Sequence, residues 1–417
     1  MSRPMKVLHT ADWHLGFSNS NNNRIEDHRR FLDWLRTTIV DRGVELLLIA
    51  GDVFDRDLPA TEASRLYFDF LGALHRLPQT VHVIVVAGNH DAARNLAAPR
   101  EVLSLVNVKV VGVMTDEREA WEEALVTIDA ADPGHPGLVV AAVPYVQPAQ
   151  LGSVPSGMEG QAASQERAEL AIGDCYQHLA EVAAQKHPGR VRIAMGHLTV
   201  GQPASEDRQL RRIHSWDGVG GLQGLSTEIF GKGYAYVALG HIHRAYPVTT
   251  APPVRYAGSP VVLDHSEADR SHSVTLLEIE ADGTIRHELI EVPQHRAFYR
   301  LEGTADEICA RITQLAPSPL PAFLDIVQVV EQQELRGDAR VDAAIEALPE
   351  PRPIKLSHTK RLRGEAVDPG PVDLPPLEAV SPEALFLRLF AAKHEVAPSD
   401  TILELFRSIS SEGESSR

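Results

Sequence analysis

Five short apolar runs in this chain end in the same way, and that repetition limits the possible folds more than any other feature. Val7 and Leu8 lead to Asp12 and His14 in KVLHTADWH, and Leu46–Ala50 lead to Gly51 and Asp52 in VELLLIAGDVFD. Val83–Ala87 lead to Gly88, Asn89, His90 and Asp91 in VHVIVVAGNHD; VRIAMGH ends in Gly196 and His197, and YVALGHIH in Gly240, His241 and His243. Each reads as a buried strand followed by a metal-ligand type of side chain, four of the five with a glycine at the junction. Helical patterns lie between them. Ile25, His28, Leu32, Leu35 and Ile39 recur at helical spacing in 24–42, with Gly43 as the stop; Leu66, Phe70 and Leu74 do so in 60–76, and Leu170, Leu179 and Val182 in 164–186. Alternating strands and helices predict an α/β layered core. Sheets of that kind collect ligands at the carboxyl ends of their strands, where all five polar clusters fall.

A single Gly-Asp or Gly-His after a strand is ordinary turn chemistry. Five in order need another reason. Asp12, His14, Asp52, Asn89, His197, His241 and His243 offer only oxygen and nitrogen donors, a set that suits manganese, iron or zinc. Seven ligands exceed the needs of one ion and match two ions about 3.5–4 Å apart with a shared carboxylate. The remaining candidates read more plainly. His28 on a helix face and His265 in a loop are structural, and His9 is a buried neighbour of the site. Arg244 is a phosphate contact or a surface arginine.

Composition excludes several classes. No apolar run approaches the roughly 18 residues of a membrane span, and MSRPMKVLHT has no apolar leader core before its strand. Cys175 and Cys309 form neither a CxxC pair nor a disulfide framework, which points to a cytoplasmic protein. The net charge of −17 argues against an autonomous, uniformly basic nucleic-acid binder. It leaves room for a local basic groove, and for a carboxylate cluster neutralised by bound metal. No GxxxxGK[ST] loop is present, so any ATP would be handled by another chain.

The ordered set DWH, GDVFD, GNHD, GH and GHIH, within residues 5–243, resembles the signature of calcineurin-like metallophosphoesterases. LHTADWHLG, FLDWL, AGDVFDR, ALGHIHR, VRYAGSPV and HSEA are similar to the nuclease-subunit branch of that family, SbcD. The resemblance implies a core of mixed sheets flanked by helices and two divalent cations, with manganese the expected metal. It implies one cation on Asp12, His14, Asp52 and His243, and a second on Asp52, Asn89, His197 and His241, so that Asp52 bridges them. His90 would give a proton to the leaving oxygen, with Asp91 orienting its ring. The activity implied is double-strand exonuclease and single-strand or hairpin endonuclease action on DNA, in repair, replication and recombination. The implied partners are an SbcC-type ATPase, in a heterotetramer, and a second copy of this chain. One departure stands out: GDVFDRDLP carries Asp55 and Arg56 where archaeal and eukaryotic relatives place a second histidine.

These readings divide the chain into a nuclease domain (1–285), a small α/β capping domain that selects DNA (286–363), a Pro-rich acidic linker (364–380) and a helical segment for the ATPase partner (381–410). RAFYRLEG, TADEICARITQL, AFLDIVQVVE, RVDAAIEAL and RPIKLSHTKR predict β-α-β-α-β, with Thr304 as an N-cap. Lys355, His358, Lys360, Arg361 and Arg363 are either a phosphate contact or a charged edge strand. In the tail, Leu385, Phe386, Leu389 and Phe390, and then Leu403, Phe406 and Ile409, form two apolar helix faces that need a partner surface. Two competing functions share the same donors: a small-molecule phosphodiesterase or phosphoprotein phosphatase, and a scaffold holding structural metal. The extra domain and tail favour the nuclease over the former. His90 disfavours the latter, since a structural site needs no proton donor.

Overall fold

Leu46–Ala50 contains no polar side chain because both faces of that strand are covered. Leu46, Leu48 and Ala50 join one apolar cluster, and Leu47 and Ile49 join another. A computed structural model describes residues 3–146, 161–201, 224–331 and 339–363, with isolated positions between 398 and 406. In chain order the strands are β1 (Met5–Thr10), the short pair β2 (Ser18–Asn19) and β3 (Asn22–Asn23), β4 (Leu46–Ala50), β5 (His82–Val86), β6 (Val108–Val111), β7 (Leu125–Ile128), β8 (Leu138–Ala142), β9 (Val191–His197), β10 (Tyr236–Gly240), β11 (Tyr246–Thr250), β12 (Pro253–Tyr256), β13 (Ser273–Ile279), β14 (Ile285–Glu291), β15 (Phe298–Gly303), β16 (Phe323–Val330) and β17 (Ile354–Leu362). The helices are α1 (Ile25–Arg42), α2 (Thr61–His75), α3 (Ala93–Ala97), α4 (Arg100–Ser104), α5 (Gln161–Lys186), α6 (Ala305–Ile312) and α7 (Ala339–Glu346).

Two mixed sheets form the core. The first has the order β14-β13-β1-β4-β5-β6 and the second β11-β12-β10-β9-β8-β7. The strands that carry the polar clusters run parallel within each sheet, with β1·β4·β5 in one and β9·β10 in the other. The antiparallel strands lie outside them. β13 pairs with β1 and extends to β14, while β7 and β11 flank the second sheet. Side chains alternate across the first sheet with the period of two that pleating imposes. Met5, Val7, Leu46, Leu48, Ile84 and Val86 share a cluster with Val140, Ile193, Val237 and Leu239 of the second sheet. Leu8, Leu47, Ile49, Val83 and Val85 pack with Phe31, Leu35, Leu66 and Phe70 of α1 and α2. Gly43 closes α1 in the left-handed conformation at φ 64°. The apolar stripe of α5 differs from the sequence reading: Leu179 and Val182 are buried, but Leu170 is 57% exposed, and Ala168, Ile172 and Tyr176 face the core instead.

The order β15-β16-β17, with α6 and α7, matches the β-α-β-α-β reading and has its own cluster around Leu301, Ile308, Leu324, Ile326 and Val341. Thr304 caps α6 with a reciprocal Glu307 capping box. A buried ion triad joins this sheet to α1. Asp27 accepts from Arg24 Nη2 at 2.9 Å and from Arg296 Nε and Nη2 at 3.0 and 2.9 Å. Arg24 lies over Phe298 and Arg296 over Phe323, at 5.0 and 4.3 Å from the ring centroids. His265 reaches across as well, with Arg300 at 3.2 Å and Asp325 at 3.7 Å. Several charges of the β17 cluster are already partnered: Lys355 with Asp342, and His358 with Gln328.

The chain divides into one compact unit of Met1–Val329 with Glu334–Lys360 and another of Val330–Gln333 with Arg361–Arg417. Within the second, Arg363 pairs with Glu331 at 2.6 Å. The linker and nearly all of the two tail helices lie outside the described residues. Among the described residues, no helix is long and apolar enough to cross a membrane.

Candidate metal centre

The turn Asp12-Trp13-His14 follows from where Trp13 goes. Its indole is fully buried and edge-on to Phe31 and Phe70, at 5.7 and 5.6 Å between centroids, and its Nε1–H donates to Thr10 Oγ1 at 3.0 Å. With Trp13 fixed under α1 and α2, the side chains on either side of it are directed away from the helices. The turn is strained: Asp12, His14, Asp52 and His241 all have positive φ, at 54, 46, 50 and 93°. Such conformations cost about 1–3 kcal/mol each and persist only where the surroundings over-determine them.

The surroundings here are a lattice of hydrogen bonds between strand ends. Asp12 and His14 N–H groups donate to the Gly51 and Asp52 carbonyls, each at 3.0 Å. His241 N–H donates to Asp12 Oδ1 at 2.8 Å, and His90 N–H to Asp52 Oδ1 at 2.9 Å. Close approach fixes two glycines. A Cβ at Gly51 would overlap the His197 ring, and one at Gly88 would overlap the Asp52 carboxylate.

All seven donors meet at this point. Asp52 Oδ2 stands 3.6 Å from His14 Nε2 and 3.3 Å from His197 Nε2, so one carboxylate oxygen faces both halves of the site. On one side His14 Nε2 and His243 Nε2 approach to 3.1 Å. On the other, Asn89 Oδ1 lies 3.0 Å from both His197 Nε2 and His241 Nδ1. Asp12 Oδ2 is buried and has no hydrogen-bond partner among the described residues. A buried, orphaned carboxylate oxygen is costly unless something positive meets it.

The neighbouring groups settle which nitrogens are free. His243 Nδ1 faces Glu267 Oε1 at 3.1 Å, and His197 Nδ1 faces the Ala50 carbonyl at 2.8 Å. Both partners can only accept, so each Nδ1 carries the hydrogen and each Nε2 keeps its lone pair in the neutral ring. Two Nε2 lone pairs at 3.1 Å repel unless a cation or proton lies between them. Ligand atoms sharing an octahedral dication with bonds of about 2.1 Å stand about 3.0 Å apart. A tetrahedral zinc shell with similar bonds spreads them to about 3.3 Å. The closest pairs here, at 3.0–3.1 Å, suit donors that share a cation of either kind. The residues present therefore fit two cations.

Electrostatics agree. Burial raises the Asp12 carboxyl, and the nearby imidazoles offset this only in part. Burial also acts on Asp52, but His197, His14 and His90 outweigh it and hold the group well below the carboxylate range. His197 and His243 rise to about 9 despite burial, the first through Asp52 and Asp12, the second through Glu267 and then Asp12. His241 falls to about 3 by burial and the charge of His197.

One neighbour is placed differently from the sequence reading. Asp91 does not orient the His90 ring. It is buried and accepts from Val53, Phe54 and Gly88 N–H groups at 3.2, 2.9 and 2.9 Å, clamping the loop after β4 to the loop after β5. Burial and Asp52 raise it to about 6 in spite of those bonds. The His90 ring is exposed, lies 4.9 Å from His14 between centroids, and turns Nδ1 to the Asp55 carbonyl at 3.2 Å. Glu267 was not assigned a role from sequence, although its tetrapeptide HSEA was part of the resemblance. Asp55, noted as a departure, has Oδ1 3.7 Å from His14 Nδ1. His9 bonds to Tyr236 Oη and the Leu239 carbonyl at 3.1 and 3.2 Å, and His28 is a buried histidine of α1 lowered to about 3 by burial. Neither is among the donors.

Fold and donor set together define a phosphoesterase of the calcineurin-like class, and residues 5–245 match the calcineurin-like phosphoesterase family. The D component of the nuclease SbcCD from Rhodobacter capsulatus is 33% identical over 399 residues, 93% of this chain and 94% of that protein. Its counterpart in the SbcCD nuclease of Escherichia coli K12 is 32% identical over 365 residues, 86% of each chain. The chain belongs to the SbcD family of calcineurin-like phosphoesterases.

Proposed function

We propose that this chain is the nuclease subunit of an SbcC–SbcD-type assembly and hydrolyses DNA phosphodiesters at the strand-end centre. The observation that carries this reading is Asp52 Oδ2, which faces the imidazoles of both donor sets at 3.6 and 3.3 Å. One cation would be held by Asp12, His14, Asp52 and His243, and the other by Asp52, Asn89, His197 and His241. A donor set of carboxylate, amide oxygen and imidazole, with no thiolate, suits manganese. When bound, two dications supply a nucleophilic water at neutral pH and neutralise charge on the phosphoryl oxygens.

The chain's own residues do the rest. Asp52, fixed by the His90 N–H, is the shared carboxylate. Glu267 and Ala50 hold the His243 and His197 rings so that Nε2 points inward. His90 stands exposed at the rim. With Nδ1–H directed to the Asp55 carbonyl, its Nε2 can carry a proton to the leaving alkoxide oxygen.

We further propose manganese as the native metal, a homodimer of this chain, a heterotetramer with an SbcC-type ATPase, and action in the cytoplasm. Thiols rather than a disulfide at Cys175 and Cys309 support that compartment. Residues 1–285 would carry the chemistry, 286–363 would cap the site and select DNA, 364–380 would be the tether, and 381–410 would bind the ATPase. The separate cluster around Leu324 and its ionic joint to α1 support the cap.

Nuclease assay of the pure chain tests the reading. Blunt and hairpin duplexes should be cut with manganese, more slowly with magnesium, and not with chelator. Hydrolysis of a single-phosphate dye diester alongside intact DNA would support the small-molecule alternative instead.

A further inference from the structure

Beside His243, on the side away from Asp52, the chain encloses a cavity of about 210 Å³ lined by Arg244, Arg270, Ser271, His272 and Ser273, with Glu267 at its base. The polar groups of this cavity are sorted by sign. Glu267 has spent both oxygens, one on His243 Nδ1 at 3.1 Å and the other on the Leu263 N–H at 2.9 Å. Both His272 nitrogens face backbone carbonyls, Ser259 at 2.7 Å and Glu267 at 3.2 Å, so no imidazole lone pair is offered to the cavity. Two guanidiniums, of Arg244 and Arg270, and three serines also line it. Arg270 has no carboxylate partner among the described residues, in a chain with 57 acidic side chains against 40 basic ones. Burial and then the like charge of Arg244 depress its guanidinium, and the Glu267 carboxylate offsets them in part.

A donor-rich cavity with paired arginines recognises an oxyanion, and guanidinium suits phosphate by its fork geometry. Its volume is below the roughly 300–1,000 Å³ of pockets that enclose a whole small molecule, so a phosphate group fits and a nucleoside does not. Its position then matters. His243 lines the cavity and is also one of the donors of the proposed cation centre, so one side chain separates a phosphate held here from that centre. We propose that Arg244 and Arg270 form a subsite for the backbone phosphate next to the scissile one, and so make the centre select polynucleotides over isolated phosphodiesters. This rests on the nuclease reading above and adds to it a named source of substrate preference.

The test compares wild type, Arg270→Gln and Arg270→Lys on a blunt duplex and on bis(p-nitrophenyl) phosphate, across a salt series, with metal content measured on each. Arg270→Gln should raise KM for DNA by roughly tenfold, the scale of one lost charge-assisted bond, with kcat on DNA nearly unchanged and dye turnover altered less than twofold. The plot of log kcat/KM for DNA against log salt should become shallower by about 0.7–0.9, the share of one phosphate contact. Arg270→Lys should restore most of that slope. Equal losses on both substrates, or an unchanged KM and slope, would overturn the subsite. Failure of the wild-type chain to cut DNA while it hydrolyses the dye would overturn the nuclease reading, and the subsite with it.

Discussion

Replacing Glu267 by alanine should weaken cation binding at the centre, by an amount that depends on pH. Glu267 is buried, and its carboxylate holds the His243 Nδ1–H at 3.1 Å. Loss of such an outer partner costs about 10–100-fold in metal affinity, or roughly 1.4–2.8 kcal/mol. A second effect runs the other way. Glu267 helps raise His243 to about 9, so in the wild-type chain a proton competes for Nε2 below that pH. At pH 7.5 the competition handicaps cation binding by about 30-fold, because binding must release the proton. Without Glu267 the imidazole falls back toward its ordinary value of 6.5 and most of that handicap disappears. The two effects nearly cancel at pH 7.5, and the full deficit emerges as pH rises through about 9. His197 also titrates near 9, but it is common to both chains and drops out of the ratio. Anaerobic manganese titration from pH 7 to 9.5 would measure this. The wild-type to Glu267→Ala affinity ratio should climb at least tenfold for one cation, with Glu267→Gln intermediate because it retains an acceptor oxygen. A ratio that does not change with pH would show that Glu267 does not act on cation binding through the His243 imidazole.

Other expectations follow from the same contacts. His90→Ala should keep both cations and still bind DNA while turnover falls about 10²–10⁴-fold; loss of a cation, seen by elemental analysis, would make His90 a ligand. Asp27→Ala leaves Arg24 and Arg296 buried without their carboxylate, and should cost about 3–5 kcal/mol in urea unfolding at pH 7. Arg296 and Arg24 overcome burial to hold Asp27 below its ordinary value of 3.8, so its contribution is present above that pH and is lost as pH falls through the lower folded value. The variant should accordingly lose less stability than wild type between pH 5 and pH 2; equal acid sensitivity would remove Asp27 from the joint. A chain ending at Pro376, or Leu389→Glu in the full chain, should retain manganese-dependent cleavage but fail to co-purify with an SbcC-type ATPase. Equal recovery of the ATPase would place the partner site elsewhere.

Much of the centre was legible in the sequence because each donor is tied to a local pattern. A buried strand shows as an unbroken apolar run, and the residue after it must turn, so Gly51-Asp52 and Gly240-His241 announce both the strand end and a candidate donor. Relations across the chain were not legible. Nothing in SVTLLEI says that β13 returns to pair with β1. Glu267 reaches His243 across 24 residues, and only its position in HSEA marked it. Asp91 misled for a different reason. It follows His90 directly, yet adjacent side chains in a turn diverge, and its oxygens found three backbone N–H groups instead of the ring. Leu170 misled because one apolar residue at helical spacing does not reveal which side of α5 is covered.

The central claim is that Asp52 joins two cations, and anomalous diffraction from manganese-soaked crystals tests it most directly. Two peaks about 3.5–4 Å apart are expected. One should lie among Asp12, His14 and His243, the other among Asn89, His197 and His241, with Asp52 Oδ2 between them. In Asp52→Ala crystals at least one peak should vanish. A single peak in the wild-type crystals, or two peaks that remain in Asp52→Ala, would contradict the account.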